Sequence, residues 1–225
     1  MPPSGGSGGE PMSSCNDGLK NGLETGADCG GPDCSPCSNG GTCEDDDDCA
    51  SRRCDPIDGV CRPGLVVRCR CTENCASGPQ AVSKVEFSLQ NRSAEALPLE
   101  GIVLRYYFTE ENEDDQALCT SSGLPGDCAA IMQEQRPYTP ATPEADTVLE
   151  LQFTAQNGSI EPNATTFVTG IELRAMIGKN VNQLNDYSFY ETSNFPTPML
   201  DCERITLHRI TGAPGGALIW GTPPQ

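Results

Sequence analysis

Eight cysteines crowd into residues 15–63, at Cys15, Cys29, Cys34, Cys37, Cys43, Cys49, Cys54 and Cys61. The same stretch offers few apolar side chains, chiefly Leu19, Leu23, Ile57 and Val60. A segment so poor in apolar surface cannot be held by a hydrophobic core. Cross-links must hold it, each worth ~2–4 kcal/mol, mainly through the freedom the unfolded chain loses. The spacing does not choose among the roughly one hundred pairings that eight cysteines allow. The chain carries 14 cysteines in all, and an even, unusually large number argues for disulfides formed in an oxidising compartment. Zinc is the structural alternative, but Cys34 and Cys37 form a lone CxxC pair with no second one, and His208 is the only histidine, which argues against the usual zinc spacing.

Composition changes along the chain and sets its organisation. Residues 1–14 are rich in Gly, Ser and Pro and read as a flexible linker, because nothing there repays the entropy of ordering. Residues 15–63 form the cysteine-rich module. It divides into two units, C-N-D-G-L-K-N-G-L-E-T-G-A-D-C-G-G-x-x-C-x-x-C and C-E-D-D-D-D-C-A-S-R-R-C-x(6)-C. These resemble the cysteine-rich repeats of secreted and surface proteins in myxobacteria and some other lineages, repeats that share no single activity. Asp17, Asn21, Glu24 and Asp28 invite a calcium reading, since the intervening glycines permit oxygen-lined turns. Asn, Asp and Gly are also simply what turns are made of. The run Glu44 to Asp48 reads as a solvated acidic loop.

From residue 64 to residue 225 the pattern is that of strands. Leu65–Cys71, Lys84–Asn91, Ile102–Phe108, Thr147–Thr154, Thr165–Arg174, Tyr187–Glu191, Arg204–Ile210 and Ala217–Trp220 alternate or run apolar in β-prone residues, and turn residues separate several of them. Between Cys119 and Glu144 the strand signal lapses. Cys119 and Cys128 bracket a Gly/Pro loop and are expected to bridge each other, and one of Cys69, Cys71 or Cys75 is expected to reach Cys202. Many short strands with no amphipathic helix predict an all-β sandwich.

Charge narrows the partners. Lys and Arg total 14 against 32 Asp and Glu, a formal charge of −18. Four cations face 12 anions in residues 1–63, and ten face 20 in the remainder, so both parts are acidic. Nucleic acid and anionic membrane surfaces are therefore poor partners, while neutral polymers and divalent cations stay open. No apolar run approaches the ~20 residues of a membrane helix. The first 14 residues show no basic region followed by an apolar one, so export is expected without a visible signal.

The stretch I-V-L-R-Y-Y-F-T-E-E, from Ile102 to Glu111, joins a β-prone strand to a run of oxygens that suits a hard cation. Together with A-D-T-V-L-E-L-Q-F-T, I-E-P-N-A, N-D-Y-S-F and a closing A-L-I-W-G, in that order, it resembles the family 3 carbohydrate-binding modules of cellulosomal scaffolds and cellulases, from about Leu65 to Pro223. The resemblance implies a jelly-roll β-sandwich of about nine strands, an extracellular setting, polysaccharide binding without catalysis, and one structural calcium ion. The ion's ligands carry over to Thr109, Glu111, Asn182, Asn185 and Asp186; the family usually has Asp and Thr where this chain has Glu111 and Asn182.

The family's carbohydrate row carries over poorly. Thr120 and Ser121 stand where an Asp-His pair is usual, and residues 175–182 contain no aromatic. Arg174 stands for the family's Arg, Tyr138 is the one aromatic left for the strip, and Trp220 reads as core. The expectation is a module diverged in its aromatic strip, binding cellulose or a related glycan weakly. The competing expectation is a structural or adhesive surface ectodomain, tethered or free, that binds a protein. With one His and no nucleophile elbow, H-E-x-x-H or P-loop, the chain shows no catalytic constellation.

Overall fold

The computed structural model describes residues 15–73, 81–93, 95–112, 115–166, 169–174, 179–189, 199–210 and 216–225. The chain divides into two compact units, residues 1–62 and 63–225.

In the first unit the cysteines pair Cys15–Cys34, Cys29–Cys37, Cys43–Cys54 and Cys49–Cys61. Each half of the module therefore uses the same interleaved scheme, first to third and second to fourth. Among the described residues its regular strands are β1 (Cys54–Asp55) and β2 (Val60–Cys61), and the core is made of the cysteines themselves. The acidic run is not simply solvated. Asp45 caps a 3-10 turn over Asp46–Asp48, and the Asp48 carboxylate is buried, accepting from the backbone N–H of Gly31 (2.7 Å), Glu44 (2.8 Å) and Asp45 (3.2 Å). Burial alone would raise its pKa, but these donors outweigh burial and hold it below the usual carboxylate range. Gly31 sits at φ +72°, where a Cβ would fall 2.0 Å from the Leu23 carbonyl oxygen, so only glycine lets its N–H reach Asp48. Asp28 likewise accepts from the N–H groups of Asp17 and Gly18, and Asp17 from that of Leu19. Of the four residues considered for calcium here, Asp17, Glu24 and Asp28 thus accept backbone N–H groups that close turns, and Asn21 donates to Asp17.

The second unit is a β-sandwich. Its strands are β3 (Leu65–Glu73), β4 (Val82–Asn91), β5 (Leu97–Pro98), β6 (Ile102–Phe108), β7 (Gln116–Ser122), β8 (Ile131–Thr142), β9 (Ala145–Phe153), β10 (Ser159–Ile160), β11 (Thr169–Arg174), β12 (Leu200–Asp201), β13 (Thr206–Arg209) and β14 (Ala217–Trp220). One five-stranded sheet runs β12-β3-β4-β11-β7 and the other β14-β13-β6-β9-β8, with β5 and β10 paired separately. All pairings within them are antiparallel. Alternation builds the core. Val67, Cys69, Val85, Phe87, Leu89, Ile171 and Leu173 from one sheet, and Leu104, Tyr106, Phe108, Leu149, Leu151, Phe153, Leu207 and Trp220 from the other, are buried.

Two expectations need correction. Where the strand signal lapsed, β8 runs for 12 residues. It is an edge strand, paired only to β9 and shifting register between Pro137 and Thr142, which is where polar residues and prolines are tolerated. Its Gln133 and Gln135 reach the edge of the other sheet, accepting from the N–H groups of Cys119 (2.8 Å) and Ala117 (2.9 Å) of β7. Conversely, residues 187–189 of the expected strand Tyr187–Glu191 form a turn, closed by Phe189 N–H on the Asp186 carbonyl; residues 190 and 191 lie outside the described residues, as do Cys75 and part of Thr165–Arg174.

Cys69 bonds Cys202 and Cys119 bonds Cys128. The first joins residues 133 apart, the second residues 9 apart. Chain entropy makes the long closure worth about 5 kcal/mol and the short one about 2–3 kcal/mol. In urea unfolding followed by tryptophan fluorescence, the Cys69→Ala/Cys202→Ala pair is expected to lose about 2 kcal/mol more than Cys119→Ala/Cys128→Ala. Equal losses would refute the assignment of the larger constraint to Cys69–Cys202.

Candidate functional site

Strand β6 is central in its sheet, flanked by β9 and β13, and its C-terminal end delivers Thr109 and Glu111 to the loop around residues 182–186. Ser188 ties the two stretches together, because its Oγ accepts from Tyr107 N–H (2.8 Å) and its N–H donates to the Tyr107 carbonyl (3.0 Å). Thr109 N–H then donates to Asp186 Oδ1 at 2.8 Å, and Thr109 Oγ1 lies 3.5 Å from the Asn185 carbonyl oxygen. A 3-10 turn over Gln183–Asn185 folds the loop back on itself. All five residues carried over for the cation, Thr109, Glu111, Asn182, Asn185 and Asp186, are thereby gathered at one corner of the sandwich.

The electrostatics of this corner are one-sided. Asp186 is buried; burial pushes its pKa well above the ordinary value, and the charges of Glu111, Asp146 and Asp115 push in the same direction, against the one N–H from Thr109. Burial also raises Glu111. Asn182 Oδ1 and Asn185 Oδ1 are buried without a hydrogen-bond partner, an expensive condition for amide oxygens. A buried carboxylate, a second carboxylate and two unpartnered amide oxygens form the hard, anionic donor set that a cation such as calcium accepts.

Sequence reasoning missed three supporting residues. Asp146 Oδ1 accepts from Glu110 N–H (2.9 Å), Gln135 Nε2 donates to Glu110 Oε1 (2.9 Å) and to the Asp115 carbonyl (2.9 Å), and Asp115 is buried. The register Phe108↔Thr147 places Asp146 beside the end of β6, so the motif A-D-T-V contained the signal once the pairing of β6 with β9 was drawn. Among the described residues, two further groupings each bring three ligating side chains together, Cys43/Cys49/Cys54 and Cys15/Glu24/Cys34. Their sulfurs are all in disulfides, with no thiolate to offer a metal.

The two carbohydrate candidates do not meet. Arg174 lies on the outer face of the β12-β3-β4-β11-β7 sheet, paired with Glu172. Tyr138 lies on the outer face of the other sheet, packed against Tyr107 and Val148. The face around Arg174 is laced with ion pairs: Arg70 to Glu86 (2.6 Å), Lys84 to Glu73 (2.8 Å) and Glu172 (3.5 Å), and Arg92 to Asp201 (2.8 Å). Among the described residues, Phe87 is the one aromatic in these five strands, and it is buried. Thr120 and Ser121 are exposed beside Gly170, where a Cβ would touch both hydroxyls. Trp220 packs inside, with its indole N–H on the Cys202 carbonyl.

Residues 70–221 match the family model CBM_3, the cellulose binding domain. The chain belongs to the CBM_3 family. The CBM_3 unit is 29% identical over 153 residues to Cellulosomal-scaffolding protein A of Acetivibrio thermocellus, covering 62% of this chain and 7% of that protein. It is 29% identical over 144 residues to Exoglucanase-2 of Thermoclostridium stercorarium, covering 61% of this chain and 14% of that protein. The match thus spans a small fraction of both curated relatives. The crystal structure of CBM3b from the scaffoldin subunit ScaA of Acetivibrio cellulolyticus superposes with a TM-score of 0.60 at 23% identity, over 72% of this chain and 99% of that one; at that identity the likeness shows the fold. The CBM_3 unit is a non-catalytic carbohydrate-binding module.

Asp186 gives the corner a testable signature. Because its folded-state pKa is raised, the stability it permits is complete below its ordinary value of 3.8 and is lost as pH rises through the shifted value. In chelator, wild-type stability is expected to fall as pH rises from about 4, and Asp186→Asn, which keeps the acceptor for Thr109 N–H and removes the charge, is expected to flatten that slope and raise the melting temperature at neutral pH. A variant less stable than wild type in chelator would contradict the electrostatic account.

Proposed function

We propose that the chain is an extracellular, non-catalytic module that binds cellulose or a related polysaccharide, stabilised by one calcium ion and diverged in its aromatic strip. The carrying observation is the CBM_3 match across nearly the whole second unit. The extracellular setting is supported by the disulfides, which take up the cysteines among the described residues, and among the described residues no helix is long and apolar enough to cross a membrane. Calcium would be held by Thr109, Glu111, Asn182, Asn185 and Asp186, where it would supply the positive charge that corner lacks.

Divergence of the strip is supported by the ion-paired face around Arg174. Planar polysaccharide is gripped by rings stacked on sugar faces, and each lost ring removes about 1 kcal/mol beyond its area. Salt-bridged arginines can still hydrogen-bond sugar hydroxyls, since exposed pairs are worth only ~0–1 kcal/mol and open readily. The same face favours a second reading, a structural or adhesive ectodomain whose charged sheet docks a protein. In this reading the cysteine-rich module, whose spacing resembles myxobacterial repeats, serves as a disulfide-braced spacer.

Retention on microcrystalline cellulose, amorphous cellulose, chitin and soluble glucans separates these readings. Weak retention on a glucan, falling about 2- to 10-fold in Arg174→Ala for the loss of one or two hydrogen bonds, is expected; no retention on any glycan would leave the adhesive reading. Separately, calcium at a hundredfold excess over its Kd is expected to stabilise chelator-treated protein by about 2–3 kcal/mol, and calorimetry showing no shift would remove the ion from the proposal.

A further inference from the structure

The acceptor signal for an N-linked glycan, N-x-S/T with x other than proline, occurs as Asn91-Arg92-Ser93, Asn157-Gly158-Ser159 and Asn163-Ala164-Thr165. So short a motif arises readily by chance, and it becomes a site only where the asparagine stands on an exposed loop with its amide nitrogen at liberty. The fold separates the three. Asn91 is buried. Its Nδ2 donates to the carbonyls of Glu95 (2.7 Å) and Ile160 (2.8 Å), and its Oδ1 accepts from Ser93 N–H (2.8 Å) and Ser93 Oγ (2.6 Å). Asn157 is buried too, with Nδ2 on the Pro125 carbonyl (3.1 Å) and Oδ1 taking Thr154 N–H (2.8 Å). In both, the nitrogen that would carry sugar is spent on a loop carbonyl. A bulky, hydrated oligosaccharide there would have to displace the packing around it.

Asn163 is the opposite case. It is exposed, as is Thr165, which supplies the hydroxyl of the motif. Among the described residues nothing hydrogen-bonds the Asn163 amide. The local geometry holds it out. Ala164 N–H donates to the Glu161 carbonyl at 3.0 Å, closing a turn with Pro162 second and Asn163 third. Asn163 sits at φ +59°, the left-handed third position of a type II turn, which Gly and Asn accept best. The chain just beyond is pinned to β4, because the Ala164 carbonyl takes Asn91 N–H (2.9 Å) and Thr166 Oγ1 takes Leu89 N–H (2.9 Å). Asn163 is left at the tip. A hollow of about 500 Å³ opens beside the turn, its lining including Leu124, Pro125, Ile160, Glu161, Ala164 and Thr165, so a group attached there meets open space on that flank.

We propose that Asn163 is the N-glycosylation acceptor of this chain, modified on export by an oligosaccharide carried on a lipid diphosphate. In the transfer Asn163 Nδ2 attacks the anomeric carbon of the first sugar. The carbon–nitrogen bond forms as the carbon–oxygen bond to the diphosphate breaks, the lipid diphosphate leaves, and Nδ2 gives up one proton; nothing is oxidised or reduced. The assignment rests on the extracellular reading, since the lipid carrier belongs to an exporting membrane. Asn163 precedes β11 and Arg174 ends it, so the glycan leaves the far end of that strand uncovered.

The intact chain is secreted from cultured mammalian cells and its peptides are mapped by mass spectrometry before and after peptide-N-glycosidase, which turns a glycosylated asparagine into aspartate. Most secreted chains are expected to carry a glycan on Asn163 and none on Asn91 or Asn157. Asn163→Gly, which suits the left-handed turn, and Thr165→Ala, which leaves the asparagine in place, are each expected to abolish it, while Thr165→Ser retains it. A secreted wild-type chain with Asn163 unmodified, or with the glycan on Asn91 or Asn157 instead, overturns the proposal. Should the chain not reach the medium, translation into microsomes is mapped in the same way and judged by the same outcomes. Glucan retention of the Asn163→Gly chain is measured separately, so failure of the glycan assignment leaves the polysaccharide reading standing.

Discussion

A carboxylate buried where a central strand ends is the constraint around which the second unit is arranged. Asp186 takes the N–H of Thr109 and sits among Glu111, Asp115 and Asp146. The same loop sends Ser188 to both backbone groups of Tyr107. The segment after residue 181 is thus held to β6 by backbone geometry, and the charge comes with the geometry. Tyr106, in the core one residue away, feels it: burial and the neighbouring Asp186 charge hold its hydroxyl protonated far above the usual range. Desolvation of this kind is tolerated in a folded chain when a compensating charge or enough packing is at hand. Here the packing is plain, since Tyr106, Phe108, Leu149 and Leu151 are all buried in the adjoining core.

How much of this was legible in the sequence depends on whether a residue's role is local. Alternation in I-V-L-R-Y-Y-F and T-V-L-E-L-Q-F announced β6 and β9 because both faces of a central strand are constrained. β8 was silent because an edge strand meets the core on one side only, and its sequence I-M-Q-E-Q-R-P-Y-T-P-A-T spends its polar residues on solvent and on capping β7. Tyr187-Ser-Phe189 looked like a strand, yet Asp186 and Ser188 bend it into a turn that serves the oxygen cluster. In the cysteine-rich module the count of cross-links was readable and their order was not, because pairing is decided by three-dimensional closure. Asp48 carried no local sign that it would be buried; its role depends on Gly31, 17 residues away.

The second sheet shows how charge is accommodated when it must be near a core. Arg105 pairs with Glu150 at 2.6 Å, and Arg136 reaches the same oxygen at 2.6 Å. Beside them His208 is buried, and burial together with the Arg105 charge lowers its pKa to about 4. It is therefore neutral at physiological pH, with Nε2 3.0 Å from Thr206 Oγ1 and 3.2 Å from Arg105. Thr206 in turn meets the Tyr107 hydroxyl at 2.8 Å. Tyr107, the centre of an aromatic cluster with Tyr138 and Tyr187, is thus fixed from below by hydrogen bonds and from the sides by rings, so its position does not depend on what lies on top of it.

Two outer faces of one sandwich are then chemically unlike. One is a carpet of ion pairs around Arg174; the other carries the aromatic cluster, whose Tyr187 and Tyr138 hydroxyls donate to the carbonyls of Thr222 and Pro224. Since the core between them is close-packed, occupation of one face alters the other only if it shifts β6 or β9, the strands that floor the cluster. A polymer on the ion-paired sheet would contact β3, β4, β11 and β7, none of which contributes to the cluster. The two carbohydrate candidates, Arg174 and Tyr138, therefore rest on separate strands, and whichever ligand the ion-paired face accepts, it must recognise that face by hydrogen bonds and charge, without help from the tyrosines on the opposite side.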